Sequence, residues 1–252
     1  PKGWSNDRSG SGLSWDNPSD AKDIAGAYYQ IDVDPLKGQA GKEYERGEGI
    51  EEIRGISVGS EGEHSVYVWL EDKAGNSNPN TRTVLEGAFR YDATAPYCDE
   101  RPSIVGGTQD GKYYNGPVRL TFTGRDRLSG IATLHYQIEG EPVITKTVDG
   151  GPAAAEHTFS LWYTDTRTAI HYWATDTAGN VQTSRNVCWI DWDPLAPAPP
   201  IGMTVSPSGW ASTTAFTIEW TNPDDHSGVE GAYYKVGGEP RWLSDGTYVR
   251  GV

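Results

Sequence analysis

The residues with the greatest chemical capacity in this chain are aspartates placed at turns. Asp72, Asp92, Asp176, Asp191 and Asp193 stand where strands give way to turns or connecting segments. Asp126, Asp224 and Asp225 sit beside Ser-Gly turns. Calcium takes roughly six to eight hard oxygens, which carboxylates and turn carbonyls supply. Asp72, Asp92, Asp176, Asp191 and Asp193 are therefore the candidate calcium ligands, and an ion at a connecting segment would stiffen it. The competing reading is that each Asp accepts hydrogen bonds from the backbone of its own tight turn.

Other constellations point away from catalysis. Gly55-Ile56-Ser57-Val58-Gly59 fits the spacing of a nucleophile elbow, but a strand pattern follows it where an elbow requires a helix. The five histidines, His64, His135, His157, His171 and His226, never fall at zinc-ligand spacing. No phosphate-binding glycine loop is present. Tyr28, Tyr113, Tyr114 and Tyr233 would suit a flat sugar-stacking surface, yet Trp4, Trp15, Trp210 and Trp220 recur with the repeat described below, which favours core roles for repeated aromatics. The chain is expected not to be an enzyme, and no cofactor other than calcium is indicated.

The elements that must position these residues are strands. The 252 residues include 31 Gly, 16 Pro, 10 Trp and 14 Tyr. Gly and Pro punctuate turns, and aromatic and β-branched residues favour strands. Period-two alternation recurs, as in Val66, Val68 and Leu70 and again in Ile170, Tyr172 and Ala174, which are expected to face inward. Pro152 to Glu156 is expected to form one helical turn. A net charge of −14 disfavours nucleic acid and anionic membrane surfaces. No apolar run approaches the ~20 residues of a membrane span.

Self-comparison organises the chain. Asp72-Lys73-Ala74-Gly75-Asn76 returns 104 positions later as Asp176-Thr177-Ala178-Gly179-Asn180. Trp15-Asp16-Asn17-Pro18 followed by Gly26-Ala27-Tyr28-Tyr29 returns 205 positions later as Trp220-Thr221-Asn222-Pro223 followed by Gly231-Ala232-Tyr233-Tyr234. Ser129-Gly130-Ile131 with Tyr136 matches Ser227-Gly228-Val229 with Tyr234. The period of about 100 residues is the size of one immunoglobulin-type sandwich. Asp92-Ala93-Thr94-Ala95-Pro96 and the proline-rich run from Asp193 to Pro200 read as short, stiff connections.

This pattern, with Ser-Gly-Ile/Val, Tyr-Tyr, Asp-x-Ala-Gly-Asn and Asp-x-Thr-x-Pro in order, resembles the bacterial Ig-like and fibronectin-III-like repeats of large extracellular proteins. The resemblance implies an all-β chain of tandem immunoglobulin-like antiparallel β-sandwiches arranged end to end. The expected segments are 1–95 with its opening strand missing or shortened, 96–196, and a partial unit 197–252 lacking its last strands. Either the natural chain continues past that unit, or a neighbouring copy completes it by β-strand addition. Cys98 and Cys188 fall just inside the two ends of the middle segment. The first and last strands of a sandwich can lie close, so a disulfide is geometrically reasonable there. Closing that loop would stabilise by ~4–5 kcal/mol, and an oxidising compartment would be needed. The alternative is two unpaired thiols.

The expected function is a non-catalytic structural or adhesive repeat region of a secreted or cell-surface protein, acting as stalk, spacer, adhesin or fibre component. The alternative is a set of accessory, carbohydrate-binding modules of a secreted hydrolase. Expected partners are neighbouring repeats of the same chain, other copies by strand addition, and a surface polysaccharide or a ligand on a host or neighbouring cell.

Overall fold

The structure, a computed structural model, describes residues 3–18, 23–38, 41–107, 112–163, 166–242 and 245–251. It is an all-β chain, as expected. Helical structure is slight, as in the short 3-10 turn Pro79–Thr81. No helix there is long and apolar enough to cross a membrane.

The first hundred residues carry β1 (Ser11–Ser14), β2 (Ile24–Ile31), β3 (Glu43–Arg46), β4 (Glu52–Ile56), β5 (Gly62–Asp72) and β6 (Thr83–Tyr91). One sheet has the order β3-β2-β5-β6, and β1 pairs with β4. Alternation sends Ala27 and Val66 inward to join Ile53, Ile56, Val58 and Phe89 in a buried cluster, with Val68 and Leu70 packed against it. The residues between them point the other way. There Tyr28 and Trp69, paired across β2 and β5, stack with ring centroids 5.5 Å apart.

The middle hundred carry β7 (Tyr97–Cys98), β8 (Ser103–Gly106), β9 (Tyr113–Tyr114), β10 (Val118–Arg125), β11 (Ile131–Ile138), β12 (Ile144–Thr147), β13 (Ala154–Leu161), β14 (Thr166–Asp176) and β15 (Asn186–Trp192). The sheets are β13-β10-β7, with β8 also on β10, and β12-β11-β14-β15-β9. They face each other through aromatic rings. Phe122 of β10 lies 5.2 Å from Tyr172 of β14 and 6.2 Å from Tyr136 of β11. Ile170, Tyr172 and Ala174 are fully buried, as their alternation predicts.

Two expectations here are corrected. Pro152 to Glu156 makes no helical turn, because β13 begins at Ala154 and hydrogen-bonds to β10. One isolated turn costs more chain entropy than its bond returns, whereas a strand added to a sheet satisfies every second backbone group. Cys98 and Cys188 form no bridge and are buried free thiols. Cys98 is on β7 of one sheet and Cys188 on β15 of the other. Side chains hold that edge instead. Gln182 accepts from the Cys98 N–H at 3.0 Å, and Asn186 donates to the Cys98 carbonyl at 2.9 Å.

Each of these segments joins an early stretch to its last strand in parallel. Ser5 bridges Tyr91, and Tyr113–Tyr114 pair with Asp191–Trp192. The residue after each last strand seals the ladder: Asp92 N–H donates to the Ser5 carbonyl and Asp193 N–H to the Tyr114 carbonyl, both at 3.0 Å.

The last fifty residues carry β16 (Ile201–Ser206), β17 (Thr217–Thr221), β18 (Gly231–Tyr234) and β19 (Thr247–Arg250), paired as β16-β17 and β18-β19. No described residue after Asp193 is buried. Trp210 is fully exposed, contrary to its expected core role: it lies in the connection between β16 and β17 and not on a strand face. Trp15 and Trp220 keep their shared design: each indole N–H donates to the Asn two positions on, at 2.9 Å.

Among the described residues no sheet mixes strands from two of these stretches. The chain divides into two compact units, residues 1–102, 121–158 and 170–188 in one and residues 103–120, 159–169 and 189–252 in the other.

Candidate functional site

The Asp-x-Ala-Gly-Asn turns are built alike. Asp72 accepts from the N–H groups of Ala74 and Asn76 at 2.9 and 2.8 Å and from the Asn76 amide at 2.9 Å. Asp176 accepts from the Asn180 N–H and amide at 2.7 and 2.8 Å. Gly75 and Gly179 have φ of +84° and +95°, the left-handed region that glycine enters without a Cβ penalty. These carboxylates therefore do the turn-holding work that the simpler reading assigned them.

Asp176 does more, because the fold brings two further carboxylates to it. Asp126 uses one oxygen to accept from Leu128 N–H at 2.9 Å and Gly130 N–H at 2.7 Å, closing the Ser-Gly turn. Gly130 has φ of +78°, and a methyl group there would collide with the Gly151 carbonyl. Asp92 arrives from the preceding connection. It accepts from Thr94 N–H and, 37 residues on, from Ser129 N–H, both at 3.0 Å. The Asn180 amide in turn donates to the Asp92 carbonyl at 2.8 Å. The result is three buried aspartates, Asp92, Asp126 and Asp176, with a carboxylate oxygen from each lying within 4.8 Å of the others. Burial, reinforced by the charges of Asp92 and Asp126, pushes the Asp176 carboxyl above its ordinary range, against the pull of the Asn180 bonds.

The next junction repeats the contact. Asp193 accepts from Ser227 N–H at 2.9 Å. Asp225 also accepts from Ser227, through its N–H at 3.2 Å and its hydroxyl at 3.1 Å. Asp193 is 8% exposed, and its other oxygen, Oδ1, is buried with no hydrogen-bond partner. Asp193, Asp224, Asp225 and His226 line one pocket with the connecting residues Leu195 and Pro197.

The expected calcium set is thus divided. Asp92 and Asp176 come together with Asp126, and Asp193 shares a pocket with Asp224 and Asp225. Asp72 serves its own turn, and Asp191 faces the Arg167 guanidinium at 3.6 Å. What sequence reasoning missed was the role of the Ser129 and Ser227 amides. The recurring Ser-Gly dipeptide, three residues after Asp126 and after Asp224, was the available signal.

The four tyrosines do not form one platform. Tyr28 lies 4.6 Å from Tyr44, and both hydroxyls donate to Glu71, at 2.7 and 2.9 Å. Tyr114 is buried beside Trp192, and Tyr113, its neighbour on β9, meets His226 edge-on at 5.7 Å. Tyr233 is exposed and packs against Tyr248 at 4.8 Å. The Gly55–Gly59 segment buries Ile56 and Val58 in the core, and no helix follows it.

No family model matches this chain. No curated protein matches it either. It is similar to a solved structure described as a tetra-tandem repeat in the extending region of a large adhesion protein, at 16% identity and a TM-score of 0.27. The match covers 79% of this chain and 52% of that one, so this chain spans about half its length.

Proposed function

We propose that this chain is a non-catalytic run of immunoglobulin-like sandwiches, divided at about residues 95 and 196, that serves as a spacer or adhesive stalk in a large secreted or cell-surface protein. One observation carries the reading: the same joint is made twice. A carboxylate just past a last strand caps the Ser-Gly turn of the next repeat, Asp92 at Ser129 and Asp193 at Ser227. A joint preserved in two copies, beside connecting segments rich in proline, suits a chain whose task is to hold repeats in order. Its partners on this reading are its own neighbouring repeats, and its setting is extracellular.

Expressing residues 1–95 and 96–196 separately tests the modular claim. Each piece folds alone and melts cooperatively if the repeat is the folding unit. Two unfolded pieces alongside a folded full chain would refute it.

A further inference from the structure

We propose that the second junction binds a hard divalent cation of the calcium type through Asp193 Oδ1, and that the first junction holds the same ion on Asp92, Asp126 and Asp176. The inference rests on the twice-made joint and adds a ligand to it.

Asp193 Oδ1 carries the argument. A buried carboxylate is stable only when it is paired, fully hydrogen-bonded, bound to a metal or neutralised. Oδ2 is satisfied by Ser227 N–H, while Oδ1 has no partner and Asp193 forms no ion pair among the described residues. The space it borders is lined by two more carboxylates, Asp224 and Asp225. Lysine and arginine, which would pair with them there, are missing from that lining. Three carboxylates around one space present hard oxygen ligands and a charge that suits a divalent ion.

The first junction shows the same parts closer together. Asp92 takes the place of Asp193, and Asp126 stands three residues before its Ser-Gly turn as Asp224 does before its own. Asp176, from the Asp-x-Ala-Gly-Asn turn, is the third ligand there. All three are buried, so their mutual repulsion is poorly screened without a cation between them. An ion in this place would tie the connection, the Ser-Gly turn and the Asp-x-Ala-Gly-Asn turn to one centre.

Calorimetric titration of the full chain with calcium chloride, after stripping with EDTA, is the test. Two binding events are expected, with magnesium weaker at both because it tolerates irregular sites poorly. Asp193→Asn weakens one event by at least about tenfold, the loss that removing even a supporting partner brings, and leaves the other. Asp92→Asn does the reverse, and Asp72→Asn changes neither. Asp224 is exposed, so Asp224→Asn is a second probe of the same event should Asp193→Asn fail to fold. Absence of calcium heat, or binding unchanged in both Asp193→Asn and Asp224→Asn, would overturn the proposal. Either result would leave the spacer reading intact, since that depends on whether the separate segments fold.

Discussion

Asp92 caps the Ser129 amide at 3.0 Å from 37 residues away, and both partners are buried. A buried N–H that loses its acceptor costs about 1–3 kcal/mol. Asp92→Ala, measured by denaturant unfolding in EDTA, should therefore lower the stability of the middle sheets by about that amount. Hydrogen exchange at Ser129 should accelerate with it. An unchanged Ser129 exchange rate would mean that the cap does not hold the turn.

The Ser-Gly turn allows a matched comparison of two glycines. Gly130 and Gly140 have nearly the same left-handed φ, +78° and +80°. A Cβ at Gly140 meets open space, while one at Gly130 meets the Gly151 backbone. Gly140→Ala should cost about 1–2 kcal/mol from conformation alone. Gly130→Ala should cost clearly more, and equal losses on chemical denaturation would contradict the close approach.

Much of this architecture was legible in the sequence, and the misses share a cause. Alternation located β5 and β14 and their inward faces, because a half-buried strand repeats every two residues whatever surrounds it. The Asp-x-Ala-Gly-Asn turns were legible because their bonds close within five residues. Asp92 to Ser129 was not, since no local spacing links residues that meet only after a sheet has formed. The alanines before Glu156 looked helical by propensity, and pairing with β10 overrode that. Trp210 looked like core because it recurs with Trp4 in the repeat, but burial depends on what packs against a residue and not on its type.

Phe122 fills the space between the two middle sheets and is 1% exposed. Phe122→Ala should cost about 3–5 kcal/mol. Val236→Ala, at a position 83% exposed, should fall within about 0.5 kcal/mol of the parent. Thermal melts of the two variants check both values.

His135 stacks on Trp173 at 5.2 Å among the hydroxyls of Thr133, Thr145 and Thr175. Burial, helped by the Arg185 charge, holds its pKa below the ordinary 6.5. The unfolded chain then takes up a proton more readily than the folded one. Stability from this site is complete above about pH 6.5 and declines as pH falls from there toward the lowered folded value. Unfolding free energies across that range should show the decline, and His135→Gln should lessen it, leaving the share of His157, whose pKa burial also lowers. A slope of the opposite sign would contradict the assignment.

Burial pushes the Cys98 thiol up to about 12 and the Cys188 thiol up to about 11. At pH 8 almost no thiolate is present, so a thiol reagent should react slowly with the native chain. Both cysteines should react at once when it is unfolded without reductant. Silence after unfolding would show that the pair had been oxidised.

Pulling the full chain from its two ends in a single-molecule force experiment tests the modular account most directly. The first two segments should yield in separate steps, each lengthening the chain by about 30 nm, the extended reach of some ninety residues. One step releasing about twice that length would show that residues 1–196 share a single cooperative core, and the account of repeats joined at Asp92 and Asp193 would fail.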